Sequence, residues 1–189
     1  MLGYAFCASF CTFSRSLLSL ERLVRDGYDV QPIISERAYS TDTRFFLAED
    51  FVRRVEEMTG RKAIHTVEDA EPLGPKTPLE ALIIAPCTGN TLAKIANGIT
   101  DSAVAMAAKA HLRTDRPLLI ALATNDAMSQ NLANLGRVIA RRSVYFVPML
   151  QDDTENKPYS LVADMEKIPE ALAEMKNERQ IRPLFLEKR

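Results

Sequence analysis

The sequence predicts an α/β fold in which a doubly wound parallel sheet carries helices on both faces. Two observations carry this. Short apolar runs of strand length alternate along the chain with longer segments whose apolar residues recur at helical spacing. The best-defined strands also run into small polar turns that open helices, and glycine closes several of those helices. That is the strand, turn, helix, glycine order of a right-handed βαβ crossover. A length of 189 residues suits one domain over 1–189, with a C-terminal helix and tail from about residue 164.

Residues 2–8 read as the first buried strand, with a polar turn from Ser9 to Thr12. Leu17, Leu20, Leu23 and Val24 follow at helical spacing, and Gly27 stops that helix. Residues 28–34 climb into a second strand, and Ser35-Glu36-Arg37-Ala38 lies just past it. A second helix is expected over 43–59, with Phe45, Ala48, Val52 and Val55 on its inner face and Gly60 behind it. Residues 62–64 are a short strand candidate. Residues 66–78 are irregular and hold Pro72, Pro75 and Pro78; a loop of that length in a compact domain is usually functional or mobile.

The chain is organised around residues 82–98. Leu82-Ile83-Ile84-Ala85 is a strand expected to stop at Pro86, and Thr88, Asn90 and Thr91 open a helix that ends at Gly98. Asp101 is the expected cap of a helix through Ala103, Met106, Ala107 and Ala110, whose small residues suit close packing on the sheet or on another protomer. Pro117 opens a strand over 118–122, and Thr124-Asn125-Asp126 reads as a polar turn and helix cap. Leu132, Leu135, Val138 and Ile139 continue that helix; 144–148 is a last strand, 151–160 a polar loop, and a helix lies near 164–176. The charges of 174–189 read as a solvated face.

Composition narrows the function. An apolar fraction of 47% and a charged fraction of 26% are those of a soluble globular protein. A net charge of −1 gives no support for nucleic acid or an anionic membrane as a partner. No apolar run is long enough to span a bilayer, and the N-terminal run lacks a basic leader. Cys7, Cys11 and Cys87 are odd in number and sit among apolar neighbours, which suggests reduced thiols in a cytoplasmic protein. With only His65 and His111 and no paired-cysteine motif, no metal site is expected.

Four polar turns fall at strand ends on one edge: Ser9, Ser35, 86–91 and 124–125. Ligands in open α/β sheets sit outside the carboxyl ends of the strands, and hydroxyls beside free helix-start N–H groups make an anion site there. One such turn alone reads as ordinary helix capping; four on one edge favour a phosphate-bearing ligand. No Gly-x-Gly-x-x-Gly follows the first strand and no Walker lysine motif occurs, which argues against a standard NAD or ATP site. Lys109, His111 and Arg113 cluster at a helix end, either as complements to its dipole or as a carboxylate-binding patch. His65 reads as an ordinary strand-end histidine, and Cys7 and Cys87 as packing residues.

Pro86-Cys87-Thr88-Gly89-Asn90-Thr91 resembles the Pro-Ala-Ser-Ala-Asn-Thr run of the homo-oligomeric flavin-dependent cysteine decarboxylases. The following Leu92-Ala93, Ile95-Ala96, Gly98 and Asp101 resemble the flavin prenyltransferase branch of the same superfamily. That superfamily's Pro-x-Met-Asn-x-x-Met-Trp clamp is matched at Asn125 and Met128 only. A fuller resemblance, to the family of dipicolinate synthase B subunits, covers nearly the whole chain. It rests on Ser9-Phe10-Cys11-Thr12-Phe13, Tyr39-Ser40-Thr41-Asp42-Thr43-Arg44-Phe45, Asp69-Ala70-Glu71-Pro72, Ala85 to Leu92, Lys109-Ala110-His111-Leu112-Arg113 and Ser160-Leu161-Val162-Ala163-Asp164.

These resemblances imply a flavodoxin-like, Rossmann three-layer sandwich and an oxidoreductase subunit of the cytoplasm, acting in sporulation on a small dicarboxylate. The implied partner is the A subunit of dipicolinate synthase. The pair would turn a hydroxytetrahydrodipicolinate into dipicolinate, with FMN as a cofactor of this chain and NAD(P) reaching the reaction through that partner. They imply cofactor contacts at Ser9, Phe10, Ser35, Thr88, Asn90 and Thr91, and a catalytic part for Asn90 and Asn125. Asn125 and Met128 would clamp the substrate, with Arg44, Lys109, His111 or Arg113 pairing with its carboxylates. A homo-oligomer is also implied. The departures are specific: the decarboxylases' histidine after the second strand and their flap cysteine are both missing, and Ala8 stands where a glycine is usual. Two rival readings therefore stay open, a decarboxylase of a cysteinyl substrate and a non-catalytic partner that kept the fold.

Overall fold

The computed structural model describes residues 1–187. Five strands form the parallel part of the sheet: β1 (Leu2–Phe6), β2 (Val30–Ile34), β3 (Ala81–Cys87), β4 (Leu118–Thr124) and β5 (Val144–Phe146). They lie in the order β2-β1-β3-β4-β5, so the winding reverses between β1 and β3. An open sheet leaves its crevice at such a reversal.

The central strands β1, β3 and β4 are almost wholly apolar and buried because both of their faces are covered. Successive residues point to opposite cores: Tyr4, Phe6, Ile83 and Ala85 face one, Ala5, Cys7, Ile84 and Cys87 the other. The first core is closed by α1 (Phe13–Arg25), α3 (Ala48–Thr59) and α8 (Ile168–Lys176), with Phe13 stacked on Phe51 at 4.4 Å between ring centroids. The second is closed by α5 (Gly89–Asn97), α6 (Ala103–Leu112) and α7 (Leu132–Ile139). This is the three-layer α/β sandwich the sequence predicts. The small residues of α6 are buried within the chain, against the sheet and α4 (Val67–Ala70).

The sheet is mixed, which the alternation of strands and helices did not indicate. After β5 come β6 (Met149–Leu150) and β7 (Leu161–Ala163), joined by the 151–160 loop. β7 pairs antiparallel with the end of β4, Ala123 against Val162 and Thr124 against Leu161, and β6 pairs with β7. Runs of two and three residues carry too little periodicity to read as strands.

Several boundaries also differ. β3 runs on through Pro86 to Cys87, and its register against β4 shifts between Ile84 and Cys87. α3 starts at Ala48 rather than 43, because the Asp42 carboxylate takes the Ala48 N–H at 2.8 Å; Phe45 stays 44% exposed, with the Arg44 guanidinium over its ring. Residues 36–40 form the short helix α2 (Glu36–Ser40), capped by Ser35. The 62–64 strand reduces to a single bridge between Ile33 and Ile64. The 66–78 segment contains α4 and is docked: a Cβ on Gly74 would lie 2.2 Å from the Ala110 carbonyl oxygen. Ser102 caps α6 in place of Asp101, which pairs with Lys94 at 2.7 Å, and α7 starts well beyond the 124–126 turn. Cys11 is exposed, whereas Cys7 and Cys87 are buried. Of the charged tail, residues 188 and 189 lie outside the described residues.

His111 turns into the core and is fully buried. Its Nε2 meets the Pro117 carbonyl oxygen at 2.9 Å, while Nδ1 has no partner among the described residues. Burial pushes this imidazole below its ordinary value of 6.5, so the folded chain holds it neutral. The unfolded chain takes up a proton first as pH falls, so stability is complete above about 6.5 and declines below it. Melting temperatures between pH 7.5 and 5, above the range where paired carboxylates titrate, should fall in the parent protein and stay flatter in His111→Gln. Equal slopes in the two proteins would refute this assignment.

Candidate functional site

β1, β3 and β4 end side by side, and the turns that follow them enclose a cleft of about 470 Å³. One wall is the β1–α1 turn with Ala8, Ser9, Cys11 and Arg15. The floor is the start of α5 with Thr88, Gly89 and Asn90. The far wall is Thr124, Asn125 and Asp126, and Asp152, Lys157 and Ser160 close it from the 151–160 loop and the start of β7. A cleft of that size suits a cofactor or small substrate.

The α5 end is built by side-chain capping. Thr88 Oγ1 accepts the Thr91 N–H at 3.2 Å and bonds the Thr91 hydroxyl at 3.1 Å. Gly98 closes the helix in the left-handed region, φ 71°. Gly89 has little room: a Cβ there would lie 2.6 Å from Thr124 Oγ1, 2.6 Å from Asn131 Nδ2 and 2.8 Å from Asp126 Oδ1. Those groups are fixed by one another. Asp126 takes hydrogen bonds from the Thr124 hydroxyl and, at 2.9 Å, from Asn131 Nδ2. The chain of bonds continues through Asn134 to Asn97 and Arg137 on the outer surface.

Against this tied network stands a set of unused donors. The Ser9 hydroxyl and the side-chain amides of Asn90 and Asn125 make no hydrogen bond among the described residues. The first-turn N–H groups of Phe10, Cys11, Gly89 and Asn90 lie at helix starts, where no intrahelical acceptor exists. Arg15 makes no salt bridge among the described residues, and Lys157 leans on Asp152 at 3.4 Å. Asp152 also takes the Ser160 hydroxyl at 2.6 Å; these bonds hold its carboxyl below the usual range although its partial burial opposes them. The cleft thus offers donors and positive charge, with its two carboxylates already engaged.

This donor set fits a phosphate-bearing cofactor. Ala8 lines the cleft but packs partly against the core beneath α1, so its methyl group is accommodated in the wall. Cys7 and Cys87 lie behind the turns; the Cys7 thiol beside it and burial push Cys87 up, so the thiol form is favoured.

The cleft brings together Ser9, Thr88, Asn90 and Asn125 of the residues singled out in the sequence. Phe10 packs beside Phe13, Ser35 caps α2, Thr91 is buried beneath Thr88, and Met128 packs against the second core. Arg44, Lys109, His111 and Arg113 do not line it: Arg44 covers Phe45, His111 is in the core, and Lys109 and Arg113 line a separate cavity. Sequence reasoning passed over Arg15, Asp126, Asp152 and Lys157. For Arg15 a signal existed, since it follows Thr12 by three residues at a helix start and shares its face. For Lys157, in an irregular loop, none did.

Comparison with known proteins agrees with this architecture. The family described as Flavoprotein matches residues 2–181. The B subunit of Bacillus subtilis dipicolinate synthase is 40% identical over 186 residues, covering 98% of this chain and 93% of that protein. The crystal structure of the dipicolinate synthase B subunit from Bacillus halodurans superposes with a TM-score of 0.90 at 39% identity, over 99% of this chain and 96% of that one. The FMN-dependent cysteine decarboxylase SpaF shares the fold, with a TM-score of 0.66 at 19% identity over 94% and 95% of the two chains. Among the described residues no helix is long and apolar enough to cross a membrane, and no cluster of side chains could hold a metal ion.

Gly89→Ala should push the Thr124–Asp126–Asn131 network outward and lower stability in urea denaturation by about 1–3 kcal/mol. The cost should shrink when Asp126→Ala is added, because the methyl group then finds space. Strict additivity of the two substitutions would refute the contact.

Proposed function

The chain belongs to the Flavoprotein family, and on that footing we propose that it is a flavin-binding subunit of the dipicolinate synthase B type. It would work in the cytoplasm with the A subunit of that enzyme and contribute to the oxidation of a hydroxytetrahydrodipicolinate to dipicolinate during sporulation. The observation that carries the reading is the ring of unused donors around the strand-end cleft, in a chain 40% identical to such a protein over 98% of its length.

The Ser9 hydroxyl and the N–H groups of Phe10 and Cys11, at the positive end of α1, would hold the phosphate of FMN. Asn90 on the floor and Asn125 on the far wall would hold the ring edge and the substrate through their amides. Arg15 pairs with one substrate carboxylate by charge-assisted hydrogen bonds, and Lys157 draws the other toward the 151–160 loop. When bound, the flavin supplies a two-electron acceptor, a capacity no side chain has. Making the ring aromatic removes one water, one hydride and one proton. NAD(P)+, carried by the A subunit, is the final oxidant, since this chain has no dinucleotide fingerprint. We propose a homo-oligomer as well; one relative of the same fold is described as a dodecameric FMN-dependent decarboxylase.

Titration of the purified chain with FMN, followed by flavin fluorescence, tests this. Tight binding is expected, weakened roughly tenfold or more in Ser9→Ala and Asn90→Ala. Dipicolinate formation with the A subunit should require this chain and drop in Arg15→Ala with a raised KM. Absence of FMN binding would overturn the flavin assignment, and full dipicolinate synthesis without this chain would favour a non-catalytic partner. Carbon dioxide release from a cysteinyl substrate would favour the decarboxylase.

A further inference from the structure

A second cavity, of about 210 Å³, lies at the other end of α5. The N-terminus of this helix lines the cleft, whereas Lys94, Ile95 and Gly98 near its C-terminus line the second cavity. Nine helical residues separate the two mouths by roughly 13 Å of helix axis. The floor of the cavity is apolar, made by Ile95, Ala105, Ala108 and Leu112. Its rim carries four cationic side chains from three parts of the chain: Lys94 of α5, Lys109 and Arg113 of α6 and its cap, and Arg141 from the turn after α7.

One carboxylate answers these four charges, Asp101 on Lys94. Arg141 makes a single long hydrogen bond, 3.4 Å, to the Ile95 carbonyl oxygen. Lys109 and Arg113 have no ion pair among the described residues, although they stand four apart on one helical face. Helix-dipole complementation does not use up this charge. The Lys94 carbonyl at the end of α5 already takes the N–H groups of Gly98 and Ile99, and at the end of α6 the Lys109 carbonyl takes that of Arg113 and the His111 carbonyl that of Thr114. Like charges gathered on a concave, low-dielectric surface focus a positive potential at its mouth. Their mutual repulsion is relieved when an anion enters.

We propose that this cavity is a second binding site, separate from the cleft, for a small dianion held by Lys109, Arg113 and Arg141, with Lys94 supporting it. The shared chemistry is two negative charges on a compact body; inorganic phosphate and a pyridine dicarboxylate are its two sources. The site rests on the cavity and its charges; only the choice of a pyridine dicarboxylate as one source rests on the proposed function.

Isothermal titration of the full chain at low ionic strength, once with inorganic phosphate and once with pyridine-2,6-dicarboxylate, tests it. Binding of at least one is expected, weakened roughly tenfold or more in Lys109→Gln/Arg113→Gln and retained in Lys109→Arg. Both variants change side chains at the cavity rim, and circular dichroism checks that they fold. The anion that binds, or the tighter of the two where both bind, identifies the source. Binding lost in Arg15→Ala but untouched in Lys109→Gln/Arg113→Gln would place the anion in the cleft and overturn the proposal. So would the absence of heat with both probes. FMN affinity should be unchanged in the double variant, which separates failure of this site from failure of the flavin reading.

Discussion

The Ser16 hydroxyl holds the two halves of the cleft in place. It donates to the Ala85 carbonyl oxygen at 2.6 Å, one residue before the proline at which β3 changes register against β4. Behind it the Tyr4 hydroxyl lies 2.9 Å from Ser16 Oγ and 3.0 Å from the Ser16 carbonyl oxygen. Burial pushes this phenol far up, so it stays a neutral donor. Three buried polar groups thus lock α1 onto β1 and β3. Because α1 begins at the cleft wall and β3 ends at the cleft floor, this contact sets the spacing of Ser9 and Arg15 from Thr88 and Asn90. In an interior of low dielectric, loss of one partner would leave the others unpaired at substantial cost.

On the opposite side of α5 the constraint is steric. Gly89 lets the helix start touch the Thr124–Asp126–Asn131 network. That network fixes the turn after β4, and the antiparallel pairing of β7 with Ala123 and Thr124 fixes it from the other edge. The far wall is therefore held from two directions, and Asn125 is presented from a rigid turn. The two unpredicted short strands matter for this reason: β6 and β7 carry the 151–160 loop, and with it Lys157, to the mouth of the cleft.

What the sequence made legible follows the physics of each signal. Buried parallel strands are continuous apolar runs, and Thr88 and Gly98 carry the chemistry of a helix start and stop, so the central strand, turn and helix could be read directly. The strand-end rule then placed Ser9, Thr88, Asn90 and Asn125 together. The positive charges were harder. Lys109, His111 and Arg113 looked like one patch, but alternate residues on a helix point to different sides, and His111 turns inward while its neighbours line the far cavity. Phe45 looked like core by periodicity, yet the Asp42 cap on Ala48 starts the helix beyond it and leaves the ring outside. Both outcomes depend on contacts between segments, to which local spacing is blind.

The charge layout of the molecule follows from the same helix. The N-terminus of α5, with its free amides, faces the cleft, and its C-terminus faces the basic cavity. At the cleft the carboxylates of Asp126 and Asp152 are already engaged, Asp126 by the Thr124 hydroxyl and the Asn131 amide, Asp152 by the Ser160 hydroxyl and the Lys157 ammonium. The helix dipole and Arg15 then act in the same direction. At the other end the dipole opposes an anion, and four cations are gathered where one would complement it. A net charge of −1 for the whole chain therefore conceals a local cluster of positive side chains at the second cavity, while the cleft sets Arg15, Lys157 and free helix-start amides beside Asp126 and Asp152. Overall charge gives no support for nucleic acid as a partner, but the ligand preference of this fold is set by where the charges are held.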